Sequence, residues 1–135
     1  MIQEAKMKKH IINTDKAPAP VGPYSQGVVI NNLLFISGQV ALHPDDQNLV
    51  TGSFEDEVNQ VFNNLEAICH SSSTSLDNAI KLNIYLRDLS NFNTVNEIMD
   101  ARFSQPYPAR ATIEVSRLPK DANIEIDAIV NIEDT

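Results

Sequence analysis

Residues 80–87 read Ile-Lys-Leu-Asn-Ile-Tyr-Leu-Arg, and this stretch decides the fold class. Its aliphatic residues stand at every second position, which is the pattern of a β-strand with one buried face. A strand of this kind is stable only when a second layer covers its apolar face. The segments on either side must supply that layer.

Both flanking segments predict amphipathic helices. Upstream, Ser53 is a favourable N-cap, and apolar residues then recur three or four positions apart, which predicts a helix to about His70. Downstream, a second helix is predicted from Asn91 to about Phe103, with Ser90 or Asn91 as its cap. Two helices of this kind can cover the same face of a sheet.

An N-terminal hairpin supplies two more strands. The apolar runs at residues 28–30 and 33–36 flank Asn31 and Asn32, and asparagine tolerates the positive φ angles of a tight turn. The second strand is predicted to end at residues 37–39, which read Ser-Gly-Gln.

The C-terminal part of the chain supplies the last two strands. Ile113 and Val115 mark one, and the alternating residues 124–132 mark the other, with Glu125 on its less apolar face. The predicted order is ββαβαββ, an α+β layer with both helices on one face of the sheet. The opposite face has mixed side chains and no helix to cover it, so we expect a partner subunit to bury it.

A single domain, residues 1–135, is expected from a chain of 135 residues. Within it, the prolines of residues 16–23 predict an extended, irregular arm, and residues 43–52 predict a surface loop. Residues 1–9 show little hydrophobic pattern and are expected to be a flexible extension.

The composition disfavours several classes of partner. The formal net charge is −8, so a nucleic-acid backbone or an anionic membrane surface would be repelled. No apolar run approaches the roughly 18 residues that a membrane-spanning helix requires. With a single cysteine, which cannot form an internal disulfide, these features predict a cytoplasmic protein that binds neither nucleic acid nor membrane.

Most familiar catalytic patterns are missing from the sequence. The histidines at positions 10, 43 and 70 lack the spacing of metal ligands, and no glycine-rich loop is present to hold a nucleotide. Cys69 falls near the end of the first predicted helix, where a packed thiol is favoured over a nucleophile. We therefore expect no metal site.

Arg110 is the side chain that most needs an explanation. It follows Pro108 and Ala109 and enters a predicted strand among apolar residues, where an unpaired guanidinium would be costly. Its partner is either an internal carboxylate, from Glu125 or Glu114, or the carboxylate of a small ligand. Composition alone favours neither alternative.

Several separated motifs resemble the reactive intermediate deaminases, also called RidA proteins or enamine/imine deaminases. The resemblance extends from about residue 10 to residue 132. In chain order, the motifs that carry it are residues 17–27 (APAPVGPYSQG), 37–39 (SGQ), 87–89 (RDL), Phe92, 95–96 (VN), 108–110 (PAR), Val115, 118–120 (LPK) and 124–126 (IEI). Several motifs in the right order are far more specific than any one of them.

The resemblance implies a fold, an assembly and a reaction. The fold would be chorismate-mutase-like, and the assembly would be a homotrimer with clefts between adjacent subunits. The reaction would be hydrolysis of short 2-enamine or 2-imine acids, such as 2-aminoacrylate and 2-iminobutanoate, to 2-keto acids and ammonia, without a cofactor. Such substrates arise from pyridoxal-phosphate enzymes, which the deaminase would protect.

The same resemblance assigns roles to individual residues. Arg110 resembles the arginine that binds the substrate carboxylate, and Glu125 resembles the acid that holds the attacking water. The residues that it assigns to the substrate pocket are Tyr24, Ser37, Gly38, Asn96 and Thr112. The best-known members have Cys in place of Thr112, so pocket size and sensitivity to thiol reagents are expected to differ.

Two other functions stay open at this point. A non-catalytic trimer could bind a 2-keto acid as a sensor, or act as a chaperone-like regulatory protein, and it could use Arg110 in the same way. Glu125 favours catalysis, because a carboxylate sensor gains little from a second carboxylate nearby. A ribonuclease, a name that some relatives carry, is disfavoured by the charge of −8 and by the lack of a histidine in the expected cleft.

Overall fold

The computed structural model describes residues 8–132 of the chain. These residues form six strands and two α-helices. The elements are β1 (His10–Ile12), β2 (Gly27–Ile30), β3 (Leu33–Gln39), α1 (Phe54–Ser71), β4 (Ala79–Leu86), α2 (Phe92–Arg102), β5 (Ala109–Glu114) and β6 (Ile124–Asn131). Residues 1–7 of the expected flexible extension lie outside the described part.

The strands form one mixed sheet with the order β1-β2-β3-β6-β4-β5. Every neighbouring pair is antiparallel except β4 and β5, which are joined by the α2 crossover and run parallel. Helix α1 packs on β3 and β6 and also on α2, which confirms the α+β class with both helices on one side. Within residues 8–132 no helix has the length and apolar character needed to cross a membrane.

The predicted order ββαβαββ is wrong at its start, because β1 precedes the hairpin. Only three residues, His10–Ile12, form this strand, and they pair with residues 27–29 of β2 at the edge of the sheet. Three residues are too few to show a periodicity, and two of these three side chains are exposed. The pairing therefore depends on the exposed backbone edge of β2 and not on a local pattern.

The core lies between the helices and one face of the sheet. On β6 every second side chain is buried, and on β4 the same alternation runs from Leu82 to Leu86, as the period-two pattern predicted. Ile80 was predicted on the same buried face but is 46% exposed, at the point where the register of β4 against β6 shifts. Glu125 lies on the other, half-exposed face of β6, also as predicted. The largest fully buried apolar side chains are Phe62, Leu34, Leu65, Ile68, Leu82, Ile84, Leu86, Ile124 and Ile126.

The turn and cap positions predicted from local residues are confirmed, although one cap lacks its side-chain hydrogen bond. Asn31 has a φ angle of 53° in the hairpin between β2 and β3. The Ser53 hydroxyl accepts the amide hydrogen of Asp56, 3.0 Å away, and caps α1. Asn91 is the N-cap residue of α2, as predicted, but its side chain makes no capping hydrogen bond. Asp88 instead accepts the Ser90 amide at 2.9 Å and starts a 3₁₀ turn ahead of the helix.

The proline-rich arm is irregular, as predicted, and one buried amide holds it. Gln26 is 1% exposed and lies at the entrance to β2. Its Oε1 accepts the Thr14 amide at 2.7 Å, and its Nε2 donates to the carbonyls of Thr14 and Pro18, each at 2.9 Å. Because these bonds fix the arm against the sheet, they also fix the course of residues 19–25, which include Tyr24.

Arg102 ties α2 to α1. Its guanidinium donates to the side chains of Asn59 at 3.1 Å and Asn63 at 2.7 Å, and it lies over the ring of Phe62. Burial lowers the pKa of Arg102, and the charge of Glu66 partly offsets this effect. The contact sets the position of α2 and so of Asn96 on it.

Cys69 is fully buried on α1, which confirms the prediction of a packed thiol. Burial, and secondarily the nearby Glu66 carboxylate, raises the pKa of Cys69 from 9.0 to about 12. Such a thiol is protonated at every pH at which the protein would be assayed.

We therefore expect Cys69 to resist thiol reagents in the folded protein. A pKa about three units higher lowers the thiolate fraction roughly 10³-fold at pH 8. Labelling with a chromogenic aromatic disulfide should be slow in buffer and complete in denaturant, without loss of activity before unfolding. Rapid stoichiometric labelling of the native protein would contradict this placement.

Candidate functional site

Arg110 lies on β5, which is an edge strand with five of its six residues exposed. The premise that Arg110 enters a buried strand is therefore wrong for the single chain. Its Nη1 donates to Oδ1 of Asn96 at 2.5 Å and approaches Sδ of Met99 at 3.6 Å. The guanidinium carbon lies 5.0 Å from the centre of the Phe92 ring. These contacts with α2 hold the guanidinium while leaving its other edge open.

Neither internal carboxylate considered for Arg110 is its partner. Oε1 of Glu114 accepts the Leu89 amide at 2.9 Å, and Glu125 lies on the other face of the sheet. Among residues 8–132, the ion pairs within 4.0 Å are His43 with Asp45 and His70 with Glu66. Arg110 is thus a positioned cation without a carboxylate counter-ion in the described part of an acidic chain.

A cavity of about 510 Å³ opens beside Arg110, between α2 and the segment that enters β5. Its lining is mostly apolar near the guanidinium, and its carboxylates lie toward the solvent. The lining residues are Asn96, Glu97, Met99, Asp100, Tyr107, Pro108 and Arg110. Two of the predicted site residues, Arg110 and Asn96, therefore share one cavity.

Thr112 follows Arg110 on the same face of β5. It pairs with Ile84 of β4, and its hydroxyl oxygen is buried without a hydrogen-bond partner among the described residues. Thr112 does not line the cavity beside Arg110, so the structure does not join it to that cavity.

Glu125 forms a second cluster with Gly38, Asp127 and Tyr85, on the face of the sheet opposite to Arg110. It stands opposite Tyr85 of β4, beside Asp127, which accepts hydrogen bonds from Asn83 at 2.8 Å and Tyr85 at 3.1 Å. Burial raises the pKa of Glu125, and the negative charge of Asp127 raises it further. A carboxyl group with a raised pKa is suited to accept and return a proton near neutral pH.

Ser37 lies near the end of β3, and Tyr24 lies on the proline-rich arm that Ser37 contacts. The Ser37 hydroxyl donates to the carbonyl of Ser25 at 2.6 Å, so it links β3 to the proline-rich arm. Tyr24 is 49% exposed on that arm, and its hydroxyl oxygen accepts the Val21 amide at 3.4 Å. The arm therefore presents Tyr24 toward solvent at the end of β3.

Gly38 is required by the position of Glu125. The register of β3 against β6 shifts between Ile36 and Gln39, which brings residue 38 against the glutamate. A Cβ atom added to Gly38 would stand 2.8 Å from Cδ of Glu125 and closer still to its Oε2. The missing side chain therefore makes room for the carboxyl group.

We expect Gly38→Ala to displace the Glu125 carboxyl group. If this group exchanges a proton with a substrate, the reaction rate should fall on the order of 10²-fold, because a shift of about 1 Å costs this much at a reacting centre. The thermal midpoint should change little. Gly22→Ala is a matched control, since its added Cβ would meet Tyr24 at 3.6 Å, an ordinary contact. Equal rates for the two variants would contradict the role of this space.

The single chain does not bring Arg110 and Glu125 together. Arg110 pairs with Leu82 and Glu125 with Tyr85, two positions of β4 that face opposite sides. At about 4.8 Å per strand and 3.3 Å per residue, their Cα atoms are about 14 Å apart. One small substrate cannot contact both groups from the same chain.

Sequence reasoning missed the neighbours that tune both clusters. Asp127 raises the pKa of Glu125 and accepts a hydrogen bond from Tyr85, and the period-two pattern could have placed both on the face of Glu125. Phe92 and Met99 contact Arg110 from α2, and no local signal marked that contact, because it depends on how the helix crosses back to β5.

Comparison with known proteins gives a consistent result over nearly the whole chain. Residues 14–132 match the family profile described as Endoribonuclease L-PSP. A protein of Dermatophagoides farinae named 2-iminobutanoate/2-iminopropanoate deaminase is 41% identical over 125 residues, covering 93% of this chain and 98% of that protein. Other relatives of similar identity carry only the name RutC family protein.

Solved structures agree in fold. The crystal structure of RidA from the Antarctic bacterium Psychrobacter sp. PAMC 21119 superposes with a TM-score of 0.88 at 45% identity, over 91% of this chain and 99% of that one. Escherichia coli TdcF with bound serine superposes with a TM-score of 0.84 at 33% identity, over 92% and 99% of the two chains.

Proposed function

The chain belongs to the RidA family, and on that premise we propose that it hydrolyses short 2-enamine and 2-imine acids to 2-keto acids and ammonia. The observation that carries the proposal is Arg110, an exposed guanidinium held by Asn96 and Phe92 with no carboxylate partner among the described residues. Its planar fork matches a carboxylate. Substrates of this kind are by-products of pyridoxal-phosphate enzymes, which the reaction would protect.

In the proposed mechanism, Arg110 binds the substrate carboxylate and Glu125 directs water at the imine carbon. The water oxygen bonds to C2 as its proton passes to Glu125, and the C=N bond becomes a C–N single bond. Glu125 then returns that proton to nitrogen, and the C–N bond breaks as the hydroxyl proton passes to Glu125 and the C=O bond forms. Ammonia leaves, and Glu125 releases its proton to solvent. An enamine first gains a proton at C3 to become the imine. The proposed reaction consumes water and needs no oxidant, reductant or cofactor.

The electrophile needs little further activation. A protonated imine is already electron-poor at carbon, so placing the water supplies most of what the protein must add. The raised pKa of Glu125 suits it to hold that water and exchange the proton. Ser37, Gly38 and Tyr24 are proposed to shape the cleft around it, and Asn96 to orient Arg110.

We propose that the complete site forms between two chains of a homotrimer. The proposal is supported by the separation of about 14 Å between Arg110 and Glu125 across the sheet, which a second chain would overcome by completing each cleft. Phe35 and Ile113, on the face without helices, are 39% and 50% exposed, which favours burial of that face by a neighbour. Light scattering should report a trimer, and a fully active monomer would exclude a shared cleft.

The reaction is tested by forming the substrate in place. A threonine dehydratase generates 2-iminobutanoate, and release of 2-ketobutyrate is followed with and without this protein. Faster release than the spontaneous rate supports the deaminase. No acceleration, together with binding of 2-ketobutyrate by calorimetry, would identify a sensor instead.

The ribonuclease suggested by the family description has less support. The chain carries a charge of −8, which opposes binding of a phosphate backbone. His10 lies on β1, His43 in a loop and His70 near the end of α1, away from both clusters. Neither cluster therefore has an imidazole to act as acid or base in RNA cleavage.

A further inference from the structure

Glu57 is a buried carboxylate in the first turn of α1. It is 4% exposed, and within residues 8–132 no lysine or arginine nitrogen lies within 4.0 Å of its oxygens. The amide hydrogens at a helix N-terminus favour a negative charge, but burial of a carboxylate without a cation is still costly. Such a group needs hydrogen-bond donors from another part of the chain.

Asn123 supplies two donors to Glu57. Its backbone amide donates to Oε2 of Glu57 at 2.8 Å, and its Nδ2 donates to Oε1 at 2.8 Å. The Asn123 carbonyl accepts the amide of Arg87, just beyond the end of β4, at 3.1 Å. The backbone amide, the carbonyl and the side chain of Asn123 are therefore all bonded, and the residue is fixed between α1 and β4.

Asn123 stands directly before β6, at a point where β6 is paired on one side only. The pairing of β3 with β6 extends no further than Gln39 and Ile126, so the first two residues of β6 pair with β4 alone. The turn that leads to Asn123 holds Lys120 and Asp121 at φ angles of 61° and 55°, which non-glycine residues rarely adopt. The contact with Glu57 therefore supplies a restraint that β3 does not.

Glu125 lies two residues beyond this contact and has little room to move. Its carboxyl group lies against the backbone of Gly38, where an added Cβ atom would stand 2.8 Å from Cδ of Glu125. Movement toward β3 is therefore blocked, and movement away from β3 would expose the carboxyl group to water. The position of this group thus depends on where β6 begins.

We infer that Glu57 is a positioning residue for Glu125: by holding Asn123, it sets where β6 begins and so where the Glu125 carboxyl group stands. The inference rests on the proposed function, which assigns proton exchange to Glu125. Glu57 lies on the helix side of the sheet, away from that carboxyl group, and exchanges no proton with the substrate. Its contribution should appear in kcat, because Arg110 is proposed to bind the substrate carboxylate.

Glu57→Gln keeps the shape of the side chain but provides one acceptor atom where Asn123 presents two donors. The new amide nitrogen would face one of these donors. We expect kcat to fall on the order of tenfold, part of the roughly 10²-fold that a 1 Å misplacement costs, while KM changes less than about twofold. Glu55→Gln is the matched control, since Glu55 is exposed in the same turn of α1 and the substitution removes the same charge. Equal kcat values for the two variants would overturn the inference.

Reversing the hydrogen-bonded pair distinguishes positioning from a general loss of stability. Asn123→Asp alone brings two carboxylates together and should lower kcat about as much as Glu57→Gln. In the double variant, the glutamine oxygen can accept the backbone amide of residue 123 while the glutamine nitrogen donates to the aspartate. The double variant also keeps the net charge of the parent, so kcat should recover to within about threefold of the parent. A double variant no faster than the single variants would overturn the inference.

NMR titration of the Glu125 carboxyl carbon tests the inference without catalysis. Burial, and then the charge of Asp127, raises the pKa of Glu125 in the parent. A displaced, better hydrated carboxyl group should therefore titrate at lower pH in Glu57→Gln and return to the parent value in the double variant. This response without deamination by any variant would retain the positioning and reject the deaminase. An unchanged titration in Glu57→Gln, with normal deamination, would reject the positioning and retain the deaminase.

Discussion

Replacing Arg110 with alanine is expected to lower kcat/KM for deamination by about 10²- to 10³-fold, because truncating one partner of a close charge pair costs about 2–5 kcal/mol. The fold should survive, since Arg110 is exposed on an edge strand and its contacts are with Asn96, Met99 and Phe92 alone among the described partners. Arg110→Lys should recover part of the rate, because it restores the charge without the two-pronged geometry.

Arg117→Ala controls for the change in net charge, since Arg117 is an exposed cation beyond the end of β5. Rates of imine hydrolysis, thermal midpoints and light scattering should be measured for the three variants. A near-normal rate for Arg110→Ala, with the assembly intact, would remove Arg110 from the proposed mechanism.

The parts of the fold that could be predicted are those in which apolar residues recur at regular spacing along the chain. Buried and less buried residues alternate through all eight residues of β6 and from Leu82 to Leu86 on β4, and α1 places its apolar residues on one stripe. The order of the strands in the sheet could not be predicted in this way. Nothing local indicates that β6, the last strand, inserts between β3 and β4, because that arrangement reflects the packing of the whole chain.

The wrong prediction with the largest consequence was that β5 is a buried strand. Its apolar residues suggested a buried strand, and so a guanidinium in need of an internal partner. The strand instead lies at the edge of the sheet beside β4, where Arg110 is exposed. Whether a short strand is central or at an edge depends on pairing, which the residues of that strand do not encode.

Site residues could be named from motifs, but their arrangement could not. Alternation along β6 correctly places Glu125 away from the core. The face occupied by Arg110 depends on its parallel register with Leu82, which follows from the α2 crossover. Only this register shows that Arg110 and Glu125 face opposite sides, which is the observation behind the proposal of a cleft shared by two chains.

The Arg110 and Glu125 clusters therefore make separable contributions to the proposed reaction. The cluster around Arg110 contains an uncompensated positive charge, which suits binding of an anion. The cluster around Glu125 contains two carboxyl groups and no cation among its described contacts, which suits proton exchange. Binding and chemistry should respond to different substitutions.

Glu125→Gln is expected to show this separation by lowering kcat about 10²-fold or more, the usual contribution of a general acid or base. Glutamine keeps the size and hydrogen-bonding capacity of the side chain but cannot take a proton at neutral pH. Binding of 2-ketobutyrate, measured by calorimetry, should persist or tighten, because one negative charge near the ligand is lost.

The raised pKa of Glu125 adds a consequence for stability. A carboxyl group whose pKa is raised in the folded state stabilises the fold fully at pH values below its unfolded pKa, and this contribution is lost as the pH rises through the folded pKa. Glu125→Gln should therefore unfold at a higher temperature than the parent at neutral pH. At a pH below both the folded and the unfolded pKa of Glu125, the difference in unfolding temperature between variant and parent should become small.

Asp127→Asn is the matched control for Glu125→Gln, because it removes one neighbouring charge and leaves the glutamate in place. The Asp127 charge helps to raise the pKa of Glu125, so its loss should move the acid limb of the pH–rate profile to lower pH and keep the limb itself. Glu125→Gln should abolish the limb. If the rate of Glu125→Gln instead stays within about threefold of the parent while ligand binding is intact, the water must be activated elsewhere, because a true general base contributes far more.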